Sequence, residues 1–402
     1  MTEAPAETPP RPQNHDSRWR NAGREIVSGS ILPAVLALVL AVLFGSVLIA
    51  ATDENVRDAS GYFFSRPGDM LQAIWDAIWG AYTALSRGAF YNTRADTFVT
   101  AIRPLTESLK FAGPLILAGL GVGFGFRAGM FNIGGRGQML LGGAAAGWVG
   151  IKLDLPVVVH LVVAVLAAMF VGGMWAAIAG YLKARTGAHE VIVTIMLNYI
   201  GFYLVFFALS EQSILQAPAT NNPKSLPIQD TAVMPDLLGD RFNLHLGFLL
   251  ALVAVAVVWW LLNRSAFGFR VRAVGENPEA ARVAGINVGR TYVLVMLVAG
   301  SLVGLAGANQ VLGTVTSGVT VDLDAGIGFD AITVALLGRS RPLGILAAGL
   351  LFGAFKAGGF SMQASQGIPI DLVLVVQSLI VLFIAAPPLV RAIFRLPAKE
   401  EA

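Results

Sequence analysis

Apolar residues gather in ten stretches, 31–51, 106–126, 138–151, 157–181, 191–209, 245–262, 291–309, 325–337, 343–358 and 370–386, parted by polar breaks. A bilayer core takes roughly 20 residues of helix to cross, so the pattern predicts an all-α polytopic membrane protein with about ten spans. The third and eighth stretches are too short for ordinary full spans. Each is tied to an interruption of the same kind. Phe131-Asn132-Ile133-Gly134-Gly135-Arg136-Gly137-Gln138 leads into a small-residue helix at Gly142 to Gly150. Gly326-Ile327-Gly328-Phe329-Asp330, then Arg339-Ser340-Arg341-Pro342, leads into 343–358. Broken spans at matching places in two halves predict an internal repeat around a central pathway.

Residues 264–290 form a polar island that specifies a short helix of its own. Asn277 can cap its first amides, Pro278 suits the first helical position and Glu279 meets the positive end of the helix dipole, while Gly285 supplies the stop. The segment Gly275, Glu276, Asn277, Pro278, Glu279, Ala280 and Ala281 is therefore expected to present a stiff element to another protein. If every crossing counts, most of the basic residues (among them Arg127, Arg136, Lys183, Arg185, Arg264, Arg339 and Arg341) fall on one side and Asp53, Glu54, Asp230, Asp236, Asp240, Asp322 and Asp324 on the other, where Lys152, Lys224, Arg241 and the arginines of 53–104 are exceptions. By the positive-inside rule both termini and the capped helix face the cytoplasm. Residues 1–30 are expected to be a disordered cytoplasmic tail ahead of a retained helix, and 391–402 a second tail. Between them, 31–390 is expected to form the transmembrane domain, with 264–290 its cytoplasmic loop. In the extracytoplasmic segment 52–105, Leu71, Ile74, Trp75, Ile78, Trp79, Tyr82 and Leu85 recur at helical spacing. Either a helix lying in the outer interface or a small cap packed on the bundle would produce this pattern.

Composition agrees with the membrane class: 55% of the 402 residues are hydrophobic and 13% charged, with a mean hydropathy of +0.69. The net charge of +3 fits basic cytoplasmic loops rather than a nucleic-acid partner. Cysteine is absent, and the four histidines have no metal-ligand spacing. The run Gly123-Phe124-Gly125-Phe126-Arg127-Ala128 matches a dinucleotide fingerprint only formally, since its surroundings are apolar helix rather than a strand and a soluble helix. The chain contains no phosphate-binding loop for ATP and no catalytic spacing of carboxylates or nucleophiles, so it reads as no enzyme.

Polar side chains within apolar sequence take a functional default, or else serve as glue between helices. Asn132, Gln138, Glu190, Asn198, Asn309 and Asp330 are the candidates to line a translocation pathway. Amides dominate the set, which suits a neutral hydrogen-bonding solute. Lys110 and Lys356 stand near span ends and are expected to snorkel. Gly143 with Gly147, Gly300 with Gly304, and Gly349 with Gly353 are expected to be packing devices.

Three separated motifs resemble a known family. Phe126 to Gly134 with Gly137-Gln138-Met139, then His189-Glu190-Val191-Ile192-Val193-Thr194-Ile195-Met196-Leu197-Asn198-Tyr199-Ile200, then Ala273 to Ala281 are similar to permeases of bacterial ATP-binding cassette (ABC) importers for nucleosides and simple sugars. The likeness runs over roughly 105–388, and it extends to ribose and branched-chain amino acid permeases. It implies a transport subunit in the plasma membrane working with three partners. These are a cytoplasmic ABC ATPase that grips Gly275 to Ala281, a second permease (a paralogue or a second copy), and an extracytoplasmic substrate-binding lipoprotein of the basic membrane protein type. ATP and magnesium would sit on the ATPase, with no cofactor on this chain. The family usually has an acid where Arg136 stands and alanine where Gly135 stands, so no role of that acid carries over. The competing expectation is a secondary transporter of a small polar solute, for which Glu190 and Asp330 would be the coupling-ion carboxylates.

Overall fold

The computed structural model describes residues 31–395 except 219 and 240. The expected tail at 1–30, most of that at 391–402, and Asp240 lie outside the described residues. Fifteen helices and one π-helical turn make up the described chain, with no strands among the described residues. In chain order they are α1 (Ile31–Thr52), α2 (Glu54–Ser60), α3 (Pro67–Ala89), α4 (Phe98–Phe126), α5 (Gly135–Lys152), α6 (Val157–Thr186) and α7 (Glu190–Ser210). After a long loop come α8 (Gly247–Arg264), α9 (Ala266–Glu276), α10 (Pro278–Val283) and α11 (Val288–Asn309). A π-helical turn (Gln310–Thr314) extends α11, and α12 (Ile327–Leu337), α13 (Pro342–Gln366), α14 (Ile370–Ala385) and α15 (Pro387–Ile393) complete the chain.

All ten predicted apolar stretches are helical, though not every one reaches the length and apolarity of a full crossing. Among the described residues, six helices, α4, α6, α7, α8, α11 with its π turn, and α13, are long and apolar enough to cross a membrane, or seven if α1 and α2 count as one bent span. The reason is local. α5 opens on Gly-Arg-Gly-Gln, α12 has 11 residues and α14 has 16, so each falls short of a full apolar crossing.

The described chain forms two compact units. Of the described residues, 31–48 and 374–395 form one, in which the Phe44 and Phe383 rings lie 6.1 Å apart. Residues 49–373 form the other, which holds every predicted site residue. Its helices approach through glycine. A Cβ on Gly304 of α11 would lie 2.2 Å from the Ala168 carbonyl oxygen of α6, and one on Gly300 would lie 2.3 Å from that of Gly172. Backbone meets backbone there, which only glycine permits. Gly353 of α13 meets Ser108 of α4 in the same way, at 2.5 Å.

The aromatic helix of the 52–105 segment is α3. Its Ala81, Ala84 and Gly88 are buried, and Gly358 of α13 comes so close that a Cβ there would be 2.5 Å from the Leu85 carbonyl oxygen. Its other face carries Trp75 and Trp79, stacked at 5.9 Å and both exposed. Packing against the bundle along a small-residue face thus coexists with an aromatic face left free for an interface.

Candidate functional site

The first interruption, between α4 and α5, is a stretch of backbone that no helix satisfies. Buried amides and carbonyls without partners are costly, so something must supply them. One stripe of α7 does so. Glu190, Thr194 and Asn198 recur every four residues and therefore share a face. Glu190 Oε1 accepts from the Phe131 amide at 3.4 Å, Thr194 Oγ1 from the Ile133 amide at 3.3 Å, and Asn198 Oδ1 from the Gly137 amide at 2.8 Å. Asn198 Nδ2 also donates to the Ile133 carbonyl at 2.9 Å. Within the break, Asn132 and Gln138 form a reciprocal amide pair at 3.0 and 3.2 Å, and Asn132 Oδ1 takes the Gly134 amide at 2.9 Å. Lys183 of α6 sits 2.5 Å from Glu190 Oε2 and balances its charge.

Asn132, Gln138, Glu190 and Asn198 are thus brought together, with their polar atoms bonded to the break and to one another. All four are buried. Because the chain lacks cysteine, Asn132→Cys and Gln138→Cys are expected to resist a membrane-impermeant thiol reagent without ATP, while Val283→Cys reacts readily. Equal labelling rates at the three sites would contradict this arrangement. Thr194 was missed in the sequence because a lone threonine in an apolar helix is unremarkable. Its place midway between Glu190 and Asn198 was the available signal.

The loop that leads to the second interruption runs back along α5. Val319 packs where a Cβ on Gly147 would be 2.3 Å away, and Leu323 does the same at Gly143. The two breaks then cross: a Cβ on Gly135 would lie 2.6 Å from the Gly328 carbonyl oxygen, and one on Gly328 would lie 2.5 Å from the Arg136 nitrogen. Beside the crossing, Arg136 Nε lies 3.4 Å from Asp324 Oδ1, and its guanidinium covers the Phe202 ring at 5.2 Å. Burial pushes the Asp324 carboxyl above its usual range, against the pull of Arg136. Arg136 thus takes its counter-charge from a carboxylate far along the chain.

Asp330 and Asn309 do not join this cluster. Asp330, in the first turn of α12, pairs with Lys356 of α13 at 3.1 Å, and the same ammonium donates to the Ala325 carbonyl at 3.0 Å. Lys356 therefore does not snorkel. Lys110 is likewise held, 2.6 Å from Glu107. Asn309 ends α11 fully buried, facing Gly113 of α4 and Gly247 of α8, with neither amide atom partnered.

The polar island folds as its local signals predict. Asn277 Oδ1 accepts from the Glu279 and Ala280 amides, both at 3.0 Å, and Gly285 has φ +82°. Arg282 and Glu279 pair across the outer surface at 2.7 Å. Ala281 is not an outward contact: it is buried against Val274 and Val288 and anchors α10 from beneath. The outward apolar residue is Val283, 91% exposed. Gly275, at the end of α9, touches the first break itself. A Cβ there would lie 2.2 Å from the Arg127 carbonyl oxygen, and Gly129 lies next to the same glycine. The island and the break are thus in backbone contact.

The profile of the branched-chain amino acid transport system / permease component family matches residues 105–385. The guanosine ABC transporter permease protein NupP of Bacillus subtilis (strain 168) is 35% identical over 365 residues, covering 90% of this chain and 94% of that one. The glucose ABC transporter permease protein TsgB13 of Haloferax volcanii is 36% identical over 289 residues, 70% of this chain and 75% of its own. The nucleoside ABC transporter permease protein NupB of Lactococcus lactis subsp. cremoris is 34% identical over 328 residues, 79% and 89% of the two chains. No solved structure matches the chain.

Proposed function

Because the chain belongs to the branched-chain amino acid transport system / permease component family, we propose that it forms half of the pathway of an ATP-driven nucleoside importer. It is a multi-pass permease subunit of an ABC transporter in the plasma membrane. The nucleoside reading rests on NupP and NupB, whose names specify guanosine and nucleosides. The glucose permease TsgB13 favours a second reading, a simple sugar. The pathway candidates Asn132, Gln138, Glu190, Asn198, Asn309 and Asp330, the cytoplasmic placement of both termini and of α10, the ATPase, the second permease and the lipoprotein receptor all belong to this proposal.

The observation that carries it is the contact between Gly275 and Arg127. A rigid capped helix gripped by an ATPase would move α9, and through Gly275 it would displace the break that α7 holds. Asn132 and Gln138, exchanging their mutual bonds for bonds to solute, would then be uncovered. Paired as they are with Lys183 and Lys356, Glu190 and Asp330 make a poor coupling-ion site, which weighs against ion-driven transport.

The test is uptake into proteoliposomes holding the permease, its ATPase, its partner permease and its receptor. Labelled guanosine is expected to accumulate with ATP inside and to persist when ionophores collapse ion gradients. Accumulation that follows an ion gradient and ignores ATP would overturn the reading. Accumulation of labelled glucose but not of labelled guanosine would transfer it to the sugar class. Labelling of Asn132→Cys and Gln138→Cys is expected to accelerate only during turnover.

A further inference from the structure

Four arginines converge on one cavity at the end of the bundle that carries α9 and α10, and the transport reading gives them no task. The cavity holds about 690 Å³ and is lined by Arg127, Arg272, Arg339 and Arg341, with Trp259 and Leu343 at its apolar side and no carboxylate among its walls. None of the four makes an ion pair among the described residues. Arg272 Nη1 is buried with no hydrogen-bond partner. Gathering like charges without counter-charge is unfavourable, so an ordinary structural cluster would be expected to include an acid.

The backbone is also strained to place them. Arg339 and Ser340 have φ of +52° and +51°, consecutive left-handed residues neither of which is glycine. Such conformations persist where surroundings enforce them, commonly at ligand sites. Arg127 enforces this one, donating from Nε to the Ser340 carbonyl at 2.9 Å. The turn projects Arg339 and Arg341, both exposed, from either side of that anchor. The Arg127 guanidinium is pushed below its ordinary value by burial first and then by Arg341 and Arg272, which places three cations within reach of one another.

We propose that this cavity is a phosphate-binding site, with the headgroup of an anionic phospholipid as its ligand. Guanidinium forks match phosphate oxygens in bidentate fashion, and one phosphate would occupy the unpartnered Arg272 nitrogen while relieving the repulsion among the four. Basic pockets between helices near the membrane surface suit such headgroups. Leu343 and Trp259, 64% and 42% exposed beside the arginines, offer a surface for acyl chain. A free phosphate compound presents the same oxygens without that chain, and the two sources are separable.

The purified full-length protein would be titrated with phosphatidylglycerol and, separately, with phosphatidylcholine, and bound lipid counted by native mass spectrometry. Phosphatidylglycerol is expected to be retained over phosphatidylcholine, and Arg339→Gln with Arg341→Gln to lower that retention at least about tenfold. Arg290→Gln, outside the cavity, should leave it unchanged, and the Lys double variant should restore part of it. In parallel, inorganic phosphate at the ionic strength of a chloride control would be tested for thermal stabilisation of the wild type. Stabilisation lost in the Gln variant, without lipid retention, would assign the site to soluble phosphate compounds. Equal retention of the two lipids together with no phosphate effect, or retention unaffected by the Gln variant, would overturn the proposal. Should the Gln variant fail to fold, the wild-type lipid preference and its competition by inorganic phosphate decide the matter.

Discussion

Aspartate in place of Val283 is expected to reduce ATP-driven uptake by at least about a hundredfold, with insertion and thermal stability unchanged. Val283 is 91% exposed at the end of a six-residue helix fixed at its start by Asn277 and from beneath by Ala281. An exposed valine on a rigid element stabilises nothing in the isolated chain. In a partner groove it would gain about 1.5–3 kcal/mol from burial, and a carboxylate there would lose that and add the cost of an unpaired charge. The variant should also fail to retain the ATPase on purification, while Val283→Ile, which keeps shape and polarity, should behave as wild type. Ala281→Leu should act differently. It overfills a packed site and is expected to lower stability by about 1–3 kcal/mol, with lost coupling only as a consequence. Normal uptake by the aspartate variant would exclude Val283 from the docking surface. Glu279→Arg is expected to matter less for stability, since its pair with Arg282 is well exposed and such pairs contribute little.

The contrast between Ala281 and Val283 shows where sequence reading stops. The existence, start and end of α10 were legible because a cap, a proline and a stopping glycine act on their immediate neighbours. Which face of six residues turns inward was not, because less than two turns carry no usable periodicity. The same division holds in the membrane. The two breaks were visible as polar interruptions, yet their crossing depends on Gly135 meeting Gly328, and their ion pair on Arg136 meeting Asp324, residues far apart in the chain. Glu190 and Asn198 were singled out as polar residues in apolar surroundings. What they satisfy is backbone at 131–137, and no property of α7 alone reveals a partner contributed by another element. Lys356 looked like a snorkelling residue because its position near a span end is local information, whereas Asp330 is brought to it by tertiary packing. Short apolar stretches were counted as spans for a related reason: hydropathy marks where a helix is apolar, but it does not tell a crossing from a half-helix.

Gly275→Val is expected to abolish uptake while leaving the ATPase bound, which separates transmission from docking. The argument is steric. A Cβ at position 275 would lie 2.2 Å from the Arg127 carbonyl oxygen and 3.1 Å from the Ala128 Cα, both backbone atoms that cannot rotate aside. Valine must therefore push the end of α9 away from the first break. Nothing else about α10 changes: Asn277 still caps it, and Val283 still faces outward. The element should dock as before and move as before, but its displacement would no longer be delivered to residues 127–134. The strain is local to a helix end, so the six long apolar helices should still insert. Measured in proteoliposomes, the variant should keep ATPase association and basal hydrolysis, lose solute-dependent uptake, and lose the turnover-dependent labelling of Asn132→Cys. Gly275→Ala, with a single methyl to accommodate, should fall between the two. If Gly275→Val transports normally, force reaches the pathway by another route. The remaining contacts of α10, through Ala281 to Val288 at the start of α11, would then be the place to look.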